Sequence, residues 1–478
     1  MASKDQNLHV LILPYLTPSH MIPLVDIGRL FAGRGVIVTI ITTPHNALLF
    51  KSSIDQDLES GHHISVHELT FPSKEVDLPE GIENFNAITS SEMATKVFFG
   101  VMLLQKPIED FIRKLSPNCI FSDMFYPWTA DLANELNIPR LMFYPSGLLS
   151  HCVAHSLSVY APHDSVESET ESFLIPNLPH EIEMKRCELP EHVKIKTRYG
   201  ELMKAIEESE QKSYGTLHNT FYELEPAYAD HYGKIKKHKF WHIGPIFQFF
   251  KKAEKFIDSS SEQHYCLSWL DTQKPDSVLY ICFGSMVRFS DAQLTEIALA
   301  LEASNTQFIW VVRKGVENQE TWLPSRFEER ISKNNKGLIV REWVPQVKIL
   351  DHPSTGGFLN HCGWNSVLEA VVAGVPLVTW PLFAEHFYNE KLVELLKIGV
   401  KVGADVWNSG FEIKSPLVGR ELIENALSKL LDGSDESLII RRRAEEIGVM
   451  ARGAVMDGGS SLNQLADLIE EMKTFIKE

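Results

Sequence analysis

Between His9 and Pro44 the chain runs through "HVLILPYL", then "MIPLVDIGRLFAGRG", then "VIVTIITTP". An apolar run, an amphipathic stretch and a second apolar run read as strand, helix and strand. No hairpin turn can join two strands separated by a helix, so the pair is parallel, and a parallel sheet has to be covered on both faces. The middle stretch predicts one helical face made of Ile22, Val25, Leu30 and Phe31, with Pro23 near the start and Gly33 and Gly35 at the exit. This unit commits the first part of the chain to an α/β fold. "NCIFSDMF" and "PRLMFYPS" repeat the strand pattern further along.

A second series opens at "SVLYICFGS" and continues through "QFIWVVR", "GLIVR", "TGGFLNH" and "VPLVTWPLF", separated by helical or turn sequence. A chain of 478 residues exceeds what one core supports, roughly 250–300 residues. Two successive series therefore predict two Rossmann-like domains whose parallel sheets face each other across a cleft. The polar, Ser-rich "FFKKAEKFIDSSSEQ" is the natural linker, which sets the expected domains at residues 1–248 and 264–460 with the linker at 249–263. Residues 461–478 form an amphipathic helix, with Leu462, Leu465, Leu468, Ile469, Met472, Phe475 and Ile476 at helical spacing, expected to pack back on the fold. "DSVESETES" is expected to be a mobile loop.

Lysine and arginine number 46 against 63 acids, a net charge of −17, which speaks against nucleic acid or an anionic membrane as partner. An anionic ligand remains possible through a local site of helix N-termini and backbone N–H groups. The six cysteines (Cys119, Cys152, Cys187, Cys266, Cys282, Cys362) show no CxxC and no paired spacing, the pattern of reduced thiols. "LHVLILPYL" resembles the core of a signal peptide but lacks a small-residue cleavage site, and no apolar run reaches the length of a membrane span. A cytoplasmic monomer is the expectation.

Doubly wound sheets bind ligands at the carboxyl ends of their strands. The first strand runs into "PYLTPSHMIP", without GxGxxG, which counts against a dinucleotide-dependent dehydrogenase. In the second series, "TGGFLNH" predicts a strand ending at His361, and "WNSVLEAVV" a helix with Asn365 and Ser366 in its first turn. Free N–H groups, the helix dipole and these side chains together make an anion site, with His361 able to donate to a phosphate. Glu369 lies one turn further on, where a carboxylate can accept from ribose hydroxyls, and Trp343 offers a flat surface for a base. "CFGS" places Gly284 and Ser285 at another strand end. Taken singly, each of these could equally be a cap or a core residue. His20 and Asp123 also fall at predicted strand ends, as a candidate imidazole base and an orienting carboxylate. Sequence alone leaves His20 as readily a helix-capping residue.

The segment from Trp343 to His386 resembles the signature box of plant family-1 UDP-dependent glycosyltransferases. It matches at Trp343, Pro345, Gln346, His352, Gly357, Phe358, His361, Gly363, Trp364, Asn365, Ser366, Glu369, Gly374, Pro376, Trp380, Pro381 and Glu385. "HMIPLVDIGRLFA", "SDMFYPW" and "WHIGPI" extend the likeness over the chain, toward the subgroup acting on triterpenoids, steroids and phenolics. The resemblance implies a GT-B fold, a UDP-sugar donor, a small lipophilic acceptor and no metal or other cofactor. It implies that Trp343 stacks on uracil, that the Val344 backbone bonds it, and that Gln346 and Glu369 hold the ribose. Ser285, His361, Asn365 and Ser366 would hold the diphosphate, and Trp364, Glu385 and His386 would face the sugar. His20 would be the general base and Asp123 its orienting partner, in a direct inverting displacement.

Two positions depart from the family pattern. Ser19 precedes the base where relatives usually carry Gly, which alters the acceptor side. His386 stands where glucose-using relatives usually carry Gln; in relatives His there goes with UDP-galactose or UDP-arabinose, though not invariably. The alternatives are a glucosyltransferase that tolerates His386 and a catalytically silent UDP-sugar-binding protein. A glycoside hydrolase would need two facing carboxylates and no nucleotide site. His352, His361 and Cys362 do not have the spacing of a zinc site, and "GHHIS" reads as a surface turn.

Overall fold

The computed structural model describes residues 7–251, 264–312, 322–409, 413 and 415–476. Two parallel sheets organise the chain. The first contains β1 (His9–Leu13), β2 (Ile37–Thr42), β3 (Ile64–Glu68), β4 (Cys119–Asp123), β5 (Arg140–Tyr144), β8 (Gly215–His218) and β9 (Lys239–His242), in the order β3-β2-β1-β4-β5-β8-β9. A small antiparallel hairpin, β6 (Ser172–Leu174) with β7 (Glu183–Lys185), lies outside it. The second sheet contains β10 (Val278–Cys282), β11 (Gln307–Val311), β12 (Gly337–Val340), β13 (Thr355–Asn360), β14 (Leu377–Thr379) and β15 (Gly399–Lys401), in the order β12-β11-β10-β13-β14-β15. These are the two Rossmann-like sheets of a GT-B fold.

Both strand orders reverse direction once. In the first sheet the chain winds outward from β1 to β3, then returns to lay β4 on the other side of β1, with Leu13 level with Ser122. In the second it winds from β10 to β12 and returns to lay β13 beside β10, with Cys282 level with Asn360. At such a switch point the connections leave toward opposite faces and open a crevice beyond the strand ends. His20 and Asp123 follow or end the pair β1 and β4, while Ser285 and His361 follow the pair β10 and β13.

The helix Pro18–Ala32 starts with Pro at its first position, where the missing N–H costs nothing, and buries Met21, Leu24, Val25, Ile27 and Phe31. Of the face predicted for it, Ile22 is instead 42 % exposed, because the buried stripe is set by Met21 and Leu24 on either side. "VPLVTWPLF" yields a strand of only Leu377–Thr379, since Pro381 cannot join a ladder. The final helix, Ser460–Lys473, follows the second sheet yet seats Leu465, Leu468, Ile469 and Met472 in the apolar core of the first, with Leu8, Val10 and Trp241. Burying each such side chain stabilises the fold by roughly 1.5–3 kcal/mol. Of the linker expected at 249–263, residues 252–263 lie outside the described residues. The stretch expected to be a mobile loop holds a turn in which Glu169 pairs with Arg186 and Lys194.

One apolar cluster runs from the first sheet's helices into the second domain, joining Leu148, Phe221 and Leu224 to Trp364, Val371, Phe387 and Ala444. Polar links reinforce it: Lys185 with Asp405 at 3.0 Å, and the Trp407 N–H to the Cys187 carbonyl at 2.8 Å. Among the described residues no helix is long and apolar enough to cross a membrane.

Candidate active site

His20 is the third residue of the helix Pro18–Ala32, and Asp123 is the last residue of β4. Parallel register puts these strand ends side by side, and His20 Nδ1 lies 2.9 Å from Asp123 Oδ2. The other carboxylate oxygen accepts from the Phe125 N–H at 3.0 Å, so Asp123 is held at both oxygens and is fully buried. A carboxylate that accepts from Nδ1–H leaves Nε2 with its lone pair, and the His20 side chain keeps 17 % of its surface open. That arrangement can take a proton from a hydroxyl. Around it stand aromatic rings that sequence reasoning did not single out: Phe125 at 5.4 Å from the His20 ring, and Tyr15 packed on Phe125 at 4.8 Å and Phe85 at 5.7 Å. Tyr15 sits two residues past the end of β1, a position that could have marked it.

Across the cleft, Gly284 adopts φ +76, a left-handed turn that favours glycine, immediately after β10 with Ser285 next. His361 presses against this turn: a Cβ on Gly284 would lie 2.7 Å from His361 Cε1. Burial pushes the His361 imidazole down to about 4, so it is neutral near pH 7 and serves as a donor, not as a cation. Its Nδ1 is buried with no partner. The helix Trp364–Ala373 begins beside it, with Gly363 as a cap that has no side chain and no acid in the first turn.

The next turn forms a polar relay. Gln346 accepts from the Tyr280 hydroxyl at 2.9 Å and donates through Nε2 to Glu369 at 2.6 Å and to Ser366 Oγ at 3.3 Å. Burial raises the Glu369 carboxyl to about 7, against the Gln346 bond and Lys251. Trp343, just past β12, is 81 % exposed and presents a bare indole face, whereas the neighbouring Val344 side chain is buried.

Glu385 caps the helix His386–Leu396. Burial raises its carboxyl above the ordinary range, opposed by its own backbone N–H, by His20 and by Asn389. Asn389 ties this segment to the His361 turn by donating to the Cys362 carbonyl at 2.9 Å and to Glu385 at 3.4 Å. His386 is buried, edge-on to His361 with ring centroids 4.8 Å apart. Its Nδ1 accepts from the Phe383 N–H at 3.4 Å, so the ring proton belongs on Nε2. Burial, with His361 adding to it, holds His386 far below its ordinary value and therefore neutral.

Two of the expected ligands also make contacts across the cleft. Trp364, expected to face the sugar, donates its indole N–H to the Asn219 carbonyl at 2.7 Å and lays its ring over Gly147, so its side chain bridges the domains. Asn365, expected on the diphosphate, donates Nδ2 to the Ser19 carbonyl at 2.9 Å, while its Oδ1 is buried without a partner. Sequence could not show either, because both partners lie in the other domain. Among the described residues no group of three or more His, Cys, Asp or Glu side chains could hold a metal ion.

Comparison with known proteins finds relatives over the whole chain. The family profile described as UDP-glucoronosyl and UDP-glucosyl transferase matches residues 258–429. Solanidine UDP-glucose glucosyltransferase 1 of Solanum tuberosum is 50% identical, over 99% of this chain and 98% of its own. Nuatigenin 3-beta-glucosyltransferase of Solanum aculeatissimum is 52% identical over 99% of each. Soyasapogenol B glucuronide galactosyltransferase of Glycine max is 45% identical, over 99% of this chain and 97% of its own. The solved structure of Glycyrrhiza uralensis UGT73P12 complexed with glycyrrhetinic acid 3-O-monoglucuronide superposes with a TM-score of 0.92 at 42% identity, covering 98% of this chain and 96% of that one.

Proposed function

The chain belongs to the UDP-glucoronosyl and UDP-glucosyl transferase family, and from that premise we propose a direct inverting transfer from a UDP-sugar to a hydroxyl of a lipophilic acceptor. The observation that carries this reading is His20 Nδ1 at 2.9 Å from the buried Asp123 carboxylate, on a helix whose Ser19 carbonyl meets Asn365 of the donor domain. His20 Nε2 takes the acceptor proton, and the imidazolium so formed is stabilised by Asp123. The acceptor oxygen attacks the anomeric carbon from the face opposite UDP. Charge gathering on the departing diphosphate meets the first N–H groups of the helix Trp364–Ala373, the Ser366 hydroxyl, the Ser285 turn and neutral His361. Gln346 and Glu369 hold the ribose and Trp343 the uracil.

The aromatic wall of Tyr15, Phe85 and Phe125 suits a flat or fused-ring acceptor of the triterpenoid, steroid, flavonoid or phenolic kind, consistent with what the relatives are named for. For the donor we favour UDP-galactose, then UDP-arabinose. Galactose differs from glucose only at the C4 hydroxyl, and arabinopyranose keeps that axial hydroxyl without the C6 group. The support is His386: with Nδ1 turned to the Phe383 N–H it offers the sugar one rigid Nε2–H donor, where a Gln would offer both donor and acceptor. One repositioned hydrogen bond of about 1–1.5 kcal/mol gives roughly tenfold discrimination. One relative is named a galactosyltransferase, whereas the Solanum relatives are named glucosyltransferases, which supports UDP-glucose as the alternative reading.

A donor panel with mass spectrometry of products tests the reading. UDP-galactose or UDP-arabinose should be preferred, His386→Gln should move the ratio toward UDP-glucose, and His20→Ala should lower turnover ~10²–10⁴-fold while UDP still binds. Preference for UDP-glucose in the unmodified protein, unmoved by His386→Gln, would refute the donor assignment. Near-normal turnover of His20→Ala would refute the base.

A further inference from the structure

Four residues after Ser19 the helix Pro18–Ala32 contains Pro23, buried and well inside the helix. In an α-helix the carbonyl of residue i is taken by the N–H of residue i+4. Pro23 has no N–H, and its ring crowds the carbonyl four residues earlier, turning it outward. That carbonyl belongs to Ser19, and its oxygen accepts from Asn365 Nδ2 at 2.9 Å across the cleft. An interior proline is among the most costly residues a helix can carry, and a backbone carbonyl without its helical donor needs another one.

We propose that Pro23 is a positioning residue for sugar transfer: by withholding an N–H from Ser19, it supplies the carbonyl that pins the helix bearing the base to the first turn of the donor helix. The inference rests on reading His20 as the base. His20 is the residue after Ser19, so the bond sets where the imidazole stands relative to the helix N-terminus that receives the diphosphate. It also gives Asn365 a second task. One Nδ2 hydrogen goes to the Ser19 carbonyl, the other remains a donor, and Oδ1 can only accept. Asn365 thus works as a clamp between domains from the first turn of the helix that receives the diphosphate.

The test uses a property shared by every residue except proline. Pro23→Ala and Pro23→Ser both restore the N–H, so both should let the helix reclaim the Ser19 carbonyl. Turnover should fall about tenfold in each, the worth of one hydrogen bond. Thermal stability should hold or rise, and UDP affinity should not weaken. A packing role for Pro23 would do the opposite, lowering stability and making the two variants differ. Pro23→Ala and Asn365→Ala remove the same bond, so the double variant should be no slower than Asn365→Ala alone. Turnover of Pro23→Ala within twofold of the unmodified protein would overturn the inference, and so would losses that multiply in the double variant. His20→Ala in the same assay separates the two levels. An active His20→Ala sinks the base reading and this inference with it, whereas an inactive one beside multiplying losses sinks this inference alone.

Discussion

Glu390 lies one helical turn beyond His386, is 2 % exposed, and accepts from the Thr379 hydroxyl at 2.5 Å. Burial raises its carboxyl to about 8, opposed by Lys401 and the Thr379 bond. It therefore sits as a neutral acid beneath the Glu385–His386 segment near pH 7, filling space and accepting one bond without bringing charge next to Cys362 and His386. The linkage sign follows from the raised value. The folded state holds this proton when the unfolded chain, with an ordinary carboxylate, has lost it, so the stability it contributes is complete below about 4.5 and is lost as pH rises through about 8. Glu390→Gln keeps the acceptor for Thr379 and cannot ionise. Thermal melts at pH 6 and pH 9 should show the unmodified protein losing about 2–3 kcal/mol more than the variant across that interval. Equal losses in both would mean that Glu390 is already ionised at pH 6.

At the scale of elements, the helix Trp364–Ala373 is informative for what its start lacks. Its cap is Gly363, no side chain bonds its first N–H groups, and its first turn carries no acid. A helix begun this way leaves its positive end uncompensated, a poor arrangement for stability alone and the right one for a diphosphate. Ser366→Asp separates the two demands. An acid in the first turn should hold or slightly raise thermal stability, by up to ~1 kcal/mol, while repelling the diphosphate and weakening UDP binding at least tenfold in a calorimetric titration. Unchanged UDP affinity would place the diphosphate elsewhere. This helix was legible in the sequence because a strand end, a glycine turn and polar first-turn residues occur together in "TGGFLNHCGWNS". Strands β1, β2, β4, β5, β10, β11, β13 and β14 were legible too, as largely buried apolar runs, and edge strand β12 because "GLIV" carries no polar side chain. β3 ("ISVHE") and β9 ("KFWH") were not, because edge strands have one ladder in water and tolerate His, Lys and Glu. β8 ("GTLH") escaped notice although fully buried, since Gly215 and the buried His218, whose Nε2 lies 3.0 Å from Thr216 Oγ1, break the apolar run.

For the whole molecule, the sequence disclosed each half of the site but not how the halves meet. His20 opens the helix after one strand and Asp123 ends its neighbour in one sheet, and Ser285 and His361 follow neighbouring strands of the other, yet strand adjacency depends on the returns that bring β4 beside β1 and β13 beside β10. The contacts closing the cleft, Asn365 to Ser19 and Trp364 to Asn219, join residues far apart in the chain and use side chains that a linear pattern assigns to ligand. Catalysis in such an arrangement depends on the two sheets being held within fractions of an ångström, and Gly147 is where that can be tested. Gly147 caps the helix Leu148–Tyr160 with φ −76 and ψ 161, angles open to any residue, so alanine there meets no backbone strain. A Cβ at that point would lie 2.5 Å from Trp364 Cη2 and 2.9 Å from Cζ2 and Cζ3, all belonging to the opposite domain. Alanine must therefore push the domains apart or displace the indole from Asn219, at a cost of about 1–3 kcal/mol. Gly147→Ala should fold, keep UDP affinity within about threefold because Trp343, Gln346, Glu369, Ser366 and His361 lie outside the contact, and lose at least tenfold in kcat/KM. Adding Trp364→Phe, which removes the ring atoms that the new methyl meets, should restore part of that loss even though Asn219 then lacks its donor. If Gly147→Ala left kcat/KM intact, the Trp364 contact would not control how the base is presented to the donor.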